Sequence, residues 1–195
     1  MKKEEEETMH DIIVIGGGPA GASAALLAAK AGKKTVVLDN DKGVTKRAWF
    51  ENFYGIEEIG GPELIAIGKK QAEKFGAGFF NETVVKIESG EDGVTVITEG
   101  NQYTAKEVII ATGMLATVAN ESGIQTKPGT EPRVKTIIDV DAEGKTNVPH
   151  VWAAGTVAGE SMHGIITAGH GAKVAINVIS ELNGERYVDH DMLKG

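Results

Sequence analysis

The amino-acid sequence predicts an α/β fold with a central parallel sheet, helices packed on it, and an antiparallel β-meander on one side. Two continuous apolar runs, residues 11–15 and 35–39, are typical of parallel strands buried on both faces. The alanine-rich residues 22–31 lie between them and end before Gly32, as expected of a helix with a glycine C-cap. Strand, helix and strand in this order form a βαβ unit with a right-handed crossover.

The spacing of apolar residues predicts the next helix and strands along the chain. A helix is predicted over residues 61–76, because Pro62 suits its first turn and apolar residues recur at helical spacing. The apolar face consists of Leu64, Ile65, Ile67 and Ala72. The period then changes to two in three segments, 83–88, 93–98 and 101–105. Short strands in succession, joined by turns that contain glycine, predict the antiparallel meander.

The second half of the chain returns to buried parallel strands. Residues 107–111 and 151–154 are apolar runs of the same type as the first two, and residues 165–182 predict a closing helix. Residues 114–149 contain three prolines and are expected to be irregular. The domain therefore ends as it begins, with a strand followed by a helix.

Composition limits the class of protein. With 195 residues and 41% hydrophobic content, the chain is long enough for one domain with a core. A net charge of −8 repels phosphate backbones, so nucleic acid is not an expected partner. No apolar stretch approaches the roughly 20 residues needed to span a bilayer, so no membrane association is expected. The chain has no cysteine, which excludes thiolate zinc sites and dithiol–disulfide chemistry by this chain alone.

The two ends of the chain are expected to lie outside a single domain, residues 10–185. Residues 1–9 contain two lysines and four glutamates without the apolar segment of a secretion signal, so they predict a disordered acidic leader. A cytoplasmic location is the corresponding expectation. Residues 186–195 are predicted to form a C-terminal tail.

A glycine-rich turn follows the first predicted strand. The pattern Gly16-x-Gly18-x-x-Gly21 opens a helix directly after that strand, and Asp39 ends the next one. This context is typical of a Rossmann-like FAD/NAD(P)-binding domain, in which the glycines allow a tight turn, a close approach of the pyrophosphate, and close packing of helix on strand. The helix N-terminus would hold the phosphates, and Asp39 would accept hydrogen bonds from ribose hydroxyls. The turn alone does not decide which dinucleotide is bound.

Five motifs occur in a fixed order along the chain. They are IGGGPAG at 15–21, ENFYG at 51–55, GPEL at 61–64 with QAEKFG at 71–76, IIATG at 109–113, and VPHVWAAG at 148–155. Together they resemble the FAD domain of the thioredoxin reductase-like FAD-dependent oxidoreductase family, over residues 10–183. The resemblance implies that the cofactor is FAD, extended across the sheet.

The resemblance also implies a set of contacts along the cofactor. The ADP half would lie on the glycine turn, the ribityl and pyrophosphate region near residue 156, and the flavin pyrimidine near residue 163. The residues expected to bind FAD are Gly16, Gly18, Pro19, Ala20, Gly21, Asp39, Asn40, Lys46, Arg47, Asn52, Val84, Ala111, Thr112, Gly113, Gly155, Thr156, His163, Gly164 and Ile165. Independently of the family, a helix that begins near Gly164 would direct positive charge at the flavin edge.

Three departures from the family pattern limit what the resemblance implies. Residues 114–150 form only a short connection where the family carries an inserted pyridine-nucleotide domain, and the chain has no second Gly-x-Gly-x-x-Gly. The redox cysteine pair of that domain is absent. Thr156 stands where the family usually has an aspartate, which predicts a retained but looser FAD site, since one charged hydrogen bond is lost.

Several residues allow more than one interpretation. His150, His163 and His170 lack the helical spacing that would direct a pair at one metal ion, so no metal site is expected. His163 is either a donor at the flavin edge or a solvated loop residue. Lys46 and Arg47 either neutralise the pyrophosphate or form a surface cluster. Trp49 and Trp152 are expected in the core or an interface rather than stacked on flavin.

Two functions of different kinds remain open. The first is a small FAD-dependent oxidoreductase that passes electrons between an external donor, either NAD(P)H or a separate reductase, and an unknown acceptor, with no catalytic residue assigned. The second is a non-catalytic FAD-binding sensor, carrier or subunit whose partner supplies nucleotide binding. A plain NAD-binding protein is disfavoured by the motifs at 109–113 and 148–155. By analogy with the family, a homodimer is expected.

Overall fold

The structure is a computed structural model that describes residues 9–193. The acidic leader, apart from Met9, and the last two residues of the predicted tail lie outside the described residues. The strands are β1 His10–Ile15, β2 Thr35–Asp39, β3 Trp49–Phe50, β4 Ile59–Gly60, β5 Gly78–Asn81, β6 Val84–Ser89, β7 Val94–Thr98, β8 Gln102–Ile110, β9 Thr126–Pro128, β10 Thr136–Ile138 and β11 Val151–Ala153. The α-helices are α1 Pro19–Lys30, α2 Gly61–Glu73, α3 Thr117–Glu121 and α4 Gly164–Asn183, and two 3₁₀ turns are Val44–Arg47 and Gly155–Ala158.

The main sheet has seven strands and is mixed. Strands β5, β2, β1 and β8 lie side by side and are parallel, and β11 pairs in parallel with the second half of β8. The meander β6–β7 joins antiparallel to the first half of β8. The register brings Val36, Ile13, Val108 and Val151 into one row across β2, β1, β8 and β11. This arrangement confirms the predicted α/β fold with a parallel sheet and an antiparallel meander.

The two faces of the sheet are covered by different layers. Alanines of α1 and the apolar side of α4 pack on the face that carries Ile12, Val14, Ile109 and Trp152. On the other face, apolar residues of the strands, including β6 and β7, form one cluster with residues of α3 and β10. Small side chains on α1 allow the helix to approach the sheet and α4 closely, and this packing sets the position of the α1 N-terminus at the edge of the sheet.

The boundaries of several predicted elements are wrong for identifiable reasons. The segments predicted as separate strands at 101–105 and 107–111 form one strand, β8, because Ala105 pairs with β1 on one side and β7 on the other. Strand β5 is absent from the sequence prediction; it is a short edge strand with only partly buried side chains. Helix α2 ends at Glu73, not at residue 76, and of its predicted apolar face only Ala72 is buried.

The connection at 114–149 is more regular than the sequence predicts. It contains α3 and the antiparallel pair β9–β10, whose register places Thr136 opposite Pro128. Proline is tolerated there because the sheet has only two strands, so each strand is an edge. No helix in residues 9–193 is both long enough and apolar enough to cross a membrane.

Candidate cofactor-binding site

Five parallel strands end at one edge of the main sheet. The chain leaves β1 into the glycine turn, β2 at Asp39, β8 into residues 111–113, and β11 into residues 154–156, while β5 ends opposite Asp39 at Asn81. In α/β sheets ligands bind outside the carboxyl ends of the strands. The topology therefore brings most of the predicted cofactor residues to one edge.

At two of the three glycines of the turn, protein atoms leave no room for a side chain. Gly16 has φ +105°, and a Cβ there would collide with the carbonyl oxygen of Ala111. A Cβ on Gly21 would collide with the carbonyl oxygen of Gly16, so this glycine permits the close packing of α1 on β1. At Gly18, by contrast, the nearest atom to a Cβ is Thr45 Oγ1 at 3.8 Å. Space for a ligand is therefore left at Gly18.

The N-terminus of α1 is open at this edge. Pro19 starts the helix and has no N–H, and Ala20 follows it. No side chain among the described residues caps the helix, and its first turn contains no acidic residue. The backbone N–H groups of the first turn and the helix dipole are thus available to an anion such as a pyrophosphate.

Asp39 stands beside this turn. A Cβ on Gly17 would lie 3.1 Å from Asp39 Cγ, so the carboxylate is in contact with the glycine backbone. One carboxylate oxygen accepts the N–H of Asp41 at 3.3 Å. Since a carboxylate accepts several hydrogen bonds, Asp39 retains capacity for ribose hydroxyls next to the phosphate site.

The loop after β2 carries two cations, Lys42 and Arg47, whose side chains have no ion-pair or hydrogen-bond partner among residues 9–193. The side chain of Asn40 accepts the N–H of Lys42 and so stabilises its own turn, and Lys46 forms an ion pair with Asp41. Arg47 has no ion-pair or hydrogen-bond partner in the part of the chain that the structure describes. Of the predicted basic pair, Arg47 is therefore the residue that remains free to meet a phosphate.

The end of β8 lies against the glycine turn on its other side. Ala111 N–H donates to Ile15 O at 2.8 Å, which holds the two strand ends together. The hydroxyl of Thr112 donates to Leu115 O at 2.6 Å and is used within its own turn, which includes Gly113. Val84 is buried at the start of β6, and the N–H of Glu82 donates to Asp39 O, so this backbone is also brought to the end of β2.

The end of β11 forms a tight 3₁₀ turn. Gly155 has φ +78°, and a Cβ there would lie 2.8 Å from Ala20 Cβ at the start of α1. Its N–H donates to Nδ1 of His170 at 3.0 Å and is therefore not available to a ligand. The hydroxyl of Thr156 has no hydrogen-bond partner within residues 9–193, although the residue is only 6% exposed. In that range every side-chain oxygen or nitrogen that is fully buried has a hydrogen-bond partner. Because the Thr156 hydroxyl has none, it must be accessible at the surface.

Helix α4 begins at the same edge. His163 is its N-cap residue, no side chain among residues 9–193 caps it, and its first turn, including Ile165, contains no acidic residue. A Cβ on Gly164 would lie 2.8 Å from the Phe50 ring, so the loop that carries Asn52 packs on the start of this helix. Asn52 is exposed. The N-terminus of α4 therefore has no side-chain cap among residues 9–193 but is partly covered by the Phe50 ring.

A hydrogen-bonded chain leads to His163, and sequence reasoning missed it. Ser161 Oγ lies 2.7 Å from His163 Nδ1 and 3.3 Å from Glu131 Oε2, and the N–H of Met162 donates to the same carboxylate at 3.2 Å. Because a carboxylate only accepts, Ser161 donates to Glu131 and accepts from His163 Nδ1–H, which leaves Nε2 free. Glu131 lies 32 positions before His163 in sequence, in a connection predicted to be irregular, so no local signal pointed to it.

These residues fit a dinucleotide better than a metal ion. Two uncapped helix N-termini, an accepting carboxylate, a free guanidinium and an unpartnered hydroxyl match phosphates, ribose and polar ring edges. No group of three or more histidine, aspartate or glutamate side chains in residues 9–193 is placed to hold a metal ion. Trp152 lies in the core, whereas Trp49 is 62% exposed, so an interface is the predicted place that remains for it.

The fold and this edge define a dinucleotide-binding α/β domain. The model of the pyridine nucleotide-disulphide oxidoreductase family matches residues 10–137, more than half of the chain. The chain belongs to this family. The family consists of FAD-binding oxidoreductases, which confirms the predicted thioredoxin reductase-like resemblance and the prediction that the cofactor is FAD.

Curated relatives match part of the chain. The thioredoxin reductase of Aquifex aeolicus is 36% identical over 93 residues, which are 44% of this chain and 28% of that protein. The dihydrolipoyl dehydrogenase of Rhizobium etli is 34% identical over 110 residues, 51% of this chain and 21% of that protein. The matches thus span less than a third of the length of either relative.

Solved structures share the fold across nearly the whole chain. The thioredoxin reductase from Gloeobacter violaceus superposes with a TM-score of 0.83 at 18% identity, covering 96% of this chain and 100% of that one. An atypical thioredoxin reductase from Desulfovibrio vulgaris Hildenborough gives 0.80 at 20% identity, covering 91% and 99%. At these identities the likeness concerns the fold.

Proposed function

We propose that this chain binds FAD at the carboxyl edge of its sheet and passes electrons between an external donor and a separate acceptor, without dithiol exchange of its own. The observation that carries the proposal is the convergence of the open α1 N-terminus, Asp39 and the α4 N-terminus at that edge. FAD, when bound, supplies the electron-transfer chemistry. The residues of the chain bind it and orient it.

The ADP half is proposed to lie on the glycine turn. Backbone N–H groups around Gly18 and the dipole of α1 hold the pyrophosphate, and the free guanidinium of Arg47 adds a charged contact. Asp39 accepts from the ribose hydroxyls. Because Asn40, Lys46 and Thr112 use their side chains within their own turns, any contact from them is made through the backbone or after rearrangement.

The flavin end is proposed to lie at the start of α4. The helix dipole favours negative charge there. The Nδ1–H of His163 is oriented through Ser161 by Glu131, which leaves Nε2 unprotonated and free to accept a hydrogen bond from a polar edge of the cofactor. The hydroxyl of Thr156, free of protein partners, contacts the ribityl or phosphate region.

The electron donor is proposed to come from outside the described domain. The connection between β8 and β11 holds only α3 and the small β9–β10 sheet, and the 195 residues contain no cysteine. NAD(P)H in transient contact or a separate reductase fits these features. A protein from Clostridium acetobutylicum that shares the fold, with a TM-score of 0.72 at 20% identity, is a ferredoxin-flavin thioredoxin reductase, which supports a donor other than a resident pyridine nucleotide.

An anaerobic titration tests this proposal. The purified chain is reconstituted with FAD, gel-filtered and mixed with NADH, NADPH or reduced ferredoxin, and the flavin absorbance is followed before and after addition of ferricyanide. We expect co-eluting flavin, bleaching by at least one donor and recovery with the acceptor. A chain that retains its circular dichroism spectrum but does not bind added FAD would refute the cofactor site. Gly100→Ala, in the meander, is the matched control.

A non-catalytic FAD-binding subunit is the second candidate. The small insert between β8 and β11 favours it, because it leaves nucleotide binding to a partner. Bound FAD that no donor reduces at any concentration, but that dithionite reduces, would select this alternative over the enzyme.

The chain is further proposed to act in the cytoplasm as a homodimer. Met162, Ile165 and Ile166, all at least 37% exposed, form an apolar surface at the start of α4 that a second copy would cover. Sedimentation of the FAD-loaded protein tests this, since Ile166→Glu would convert a dimer into monomers.

A further inference from the structure

His170 lies in the second turn of α4 and reaches back to the end of β11. Its Nδ1 accepts the N–H of Gly155 at 3.0 Å, and its side chain is only 10% exposed. An acceptor nitrogen carries no proton, so the neutral tautomer has its proton on Nε2. Nε2 lies 3.6 Å from Glu160 Oε1. The imidazole therefore bridges the cofactor turn and the segment that leads into α4.

The turn that His170 holds is in contact with α1. Gly155 lies against Ala20, and a Cβ on Gly171, the residue after His170, would collide with the carbonyl oxygen of Ala20. The end of β11, the start of α1 and the second turn of α4 thus share one contact point. The His170–Gly155 hydrogen bond therefore lies next to both Thr156 and the open end of α1.

We propose that His170 is a positioning residue that holds the Gly155–Ala158 turn in its cofactor-binding conformation only while its imidazole is neutral. The proposal rests on the proposed FAD site. Protonation at Nδ1 would place a hydrogen against the N–H of Gly155, so the bond would break and the turn would lose its tie to α4.

The surroundings of His170 favour the neutral form near pH 7. The charged groups that face it in the described residues are Glu160, from the segment before α4, and Lys173, on α4 itself. Burial lowers the pKa of His170 below its ordinary value of 6.5, Glu160 opposes this, and Lys173 adds to it. Because the folded-state pKa is lowered, the tie is present at neutral pH and is lost as the pH falls through that pKa.

The first experiment measures FAD affinity by fluorescence from about pH 8 to about pH 5. The protein is kept dilute because its isoelectric point, near 5.2, lies within this range and low net charge promotes association. The wild-type dissociation constant should rise about tenfold at the acid end. His170→Gln, whose amide oxygen accepts the N–H without titrating, should remove this dependence and keep the neutral-pH affinity. His170→Leu should bind weakly at every pH, and His190→Gln, in the tail, should behave as wild type. Identical profiles for wild type and His170→Gln would overturn the proposal.

The second experiment uses the protein without FAD, so that failure of the FAD site is recognised separately. Proton–nitrogen NMR correlation of the imidazole at neutral pH should show the Nε2–H tautomer, and the Gly155 amide should shift with the titration of His170. An Nδ1–H tautomer would overturn the proposal whatever binds at the edge. A correct tautomer in a chain that binds no FAD at any pH would instead overturn the proposed function, and with it the role of His170 in cofactor binding.

Discussion

The two ends of β11 differ in how their polar groups are paired. At the amino end, the buried carboxylate of Glu107 accepts from Trp152 Nε1 at 2.7 Å and from His150 Nδ1 at 3.0 Å. Lys145 lies over the Trp152 ring, 4.9 Å from its centroid, and pairs with Glu181. Every partner in this network is another part of the protein.

At the carboxyl end the protein leaves groups open. The first turns of α1 and α4 lack side-chain caps among the described residues, and the Thr156 hydroxyl has no partner there. The histidine at this end, His170, is held neutral as an acceptor, whereas His150 is a donor beside a carboxylate. Polar groups that all pair with one another stabilise a fold, whereas hydrogen-bond donors without a protein partner are available to a ligand. Substitutions at the two ends should therefore affect different measurements.

The largest effect on stability is expected at the amino end. Glu107→Ala leaves the Trp152 N–H buried without an acceptor, so the free energy of unfolding should fall by about 3 kcal/mol. Glu107→Gln keeps an oxygen acceptor and should lose about 1–2 kcal/mol. Urea unfolding followed by tryptophan fluorescence measures both, with the exposed Glu88→Ala as control. A loss of FAD affinity without a loss of stability would contradict the division between the two ends.

At the glycine turn, a substitution is expected to weaken FAD binding without lowering stability. Gly18 has φ −71°, which alanine adopts freely, and the nearest atom to a Cβ is 3.8 Å away. Gly18→Ala should leave the urea midpoint unchanged but weaken FAD about 30-fold, or ~2 kcal/mol, because the methyl group occupies the space of the pyrophosphate. Equal FAD affinity in wild type and Gly18→Ala would place the phosphates elsewhere.

A smaller change is expected at Thr156. Thr156→Asp adds a charged acceptor for ribityl hydroxyls, and FAD should bind about five- to tenfold more tightly. Thr156→Val keeps the shape without the hydroxyl and should bind more weakly than wild type. Equilibrium dialysis measures both constants. If the aspartate variant binds less FAD, then the threonine is an adapted contact and repulsion between carboxylate and phosphate outweighs the new hydrogen bond.

The smallest effect concerns pH. The hydrogen bond with Glu107 raises the pKa of His150 above 6.5 despite partial burial. The stability that protonated His150 adds to the folded protein is complete below about pH 6.5, and it is lost as the pH rises through the raised pKa. The stability difference between wild type and His150→Gln should thus shrink between about pH 6 and pH 8, by less than ~1 kcal/mol. A difference that grows with pH would mean that His150 is not paired with Glu107.

Local signals predicted those parts of the site that depend on local geometry. The turn at 16–21 and Asp39 follow from strand, glycine and helix in direct succession, and the structure places them side by side. The pairing of Ser161 with Glu131, and of His170 with Gly155, joins segments from different elements. Polar residues of this kind have no periodic pattern, so neither contact could be read from the chain.

The sequence by itself determined the buried parallel strands, the three long helices, the meander, the dinucleotide turn and the family, because buried strands and tight glycine turns restrict which residues can occupy them. The tertiary structure alone decided which side chains remain free at the edge. It paired the side chains of Asn40, Lys46 and Thr112 within their own turns, left those of Arg47 and Thr156 without a partner among residues 9–193, and brought His170 to Gly155. The physical reason is that a side chain forms hydrogen bonds with groups that are close to it in space. Segments distant in sequence become close only when α1, α4 and β11 pack together.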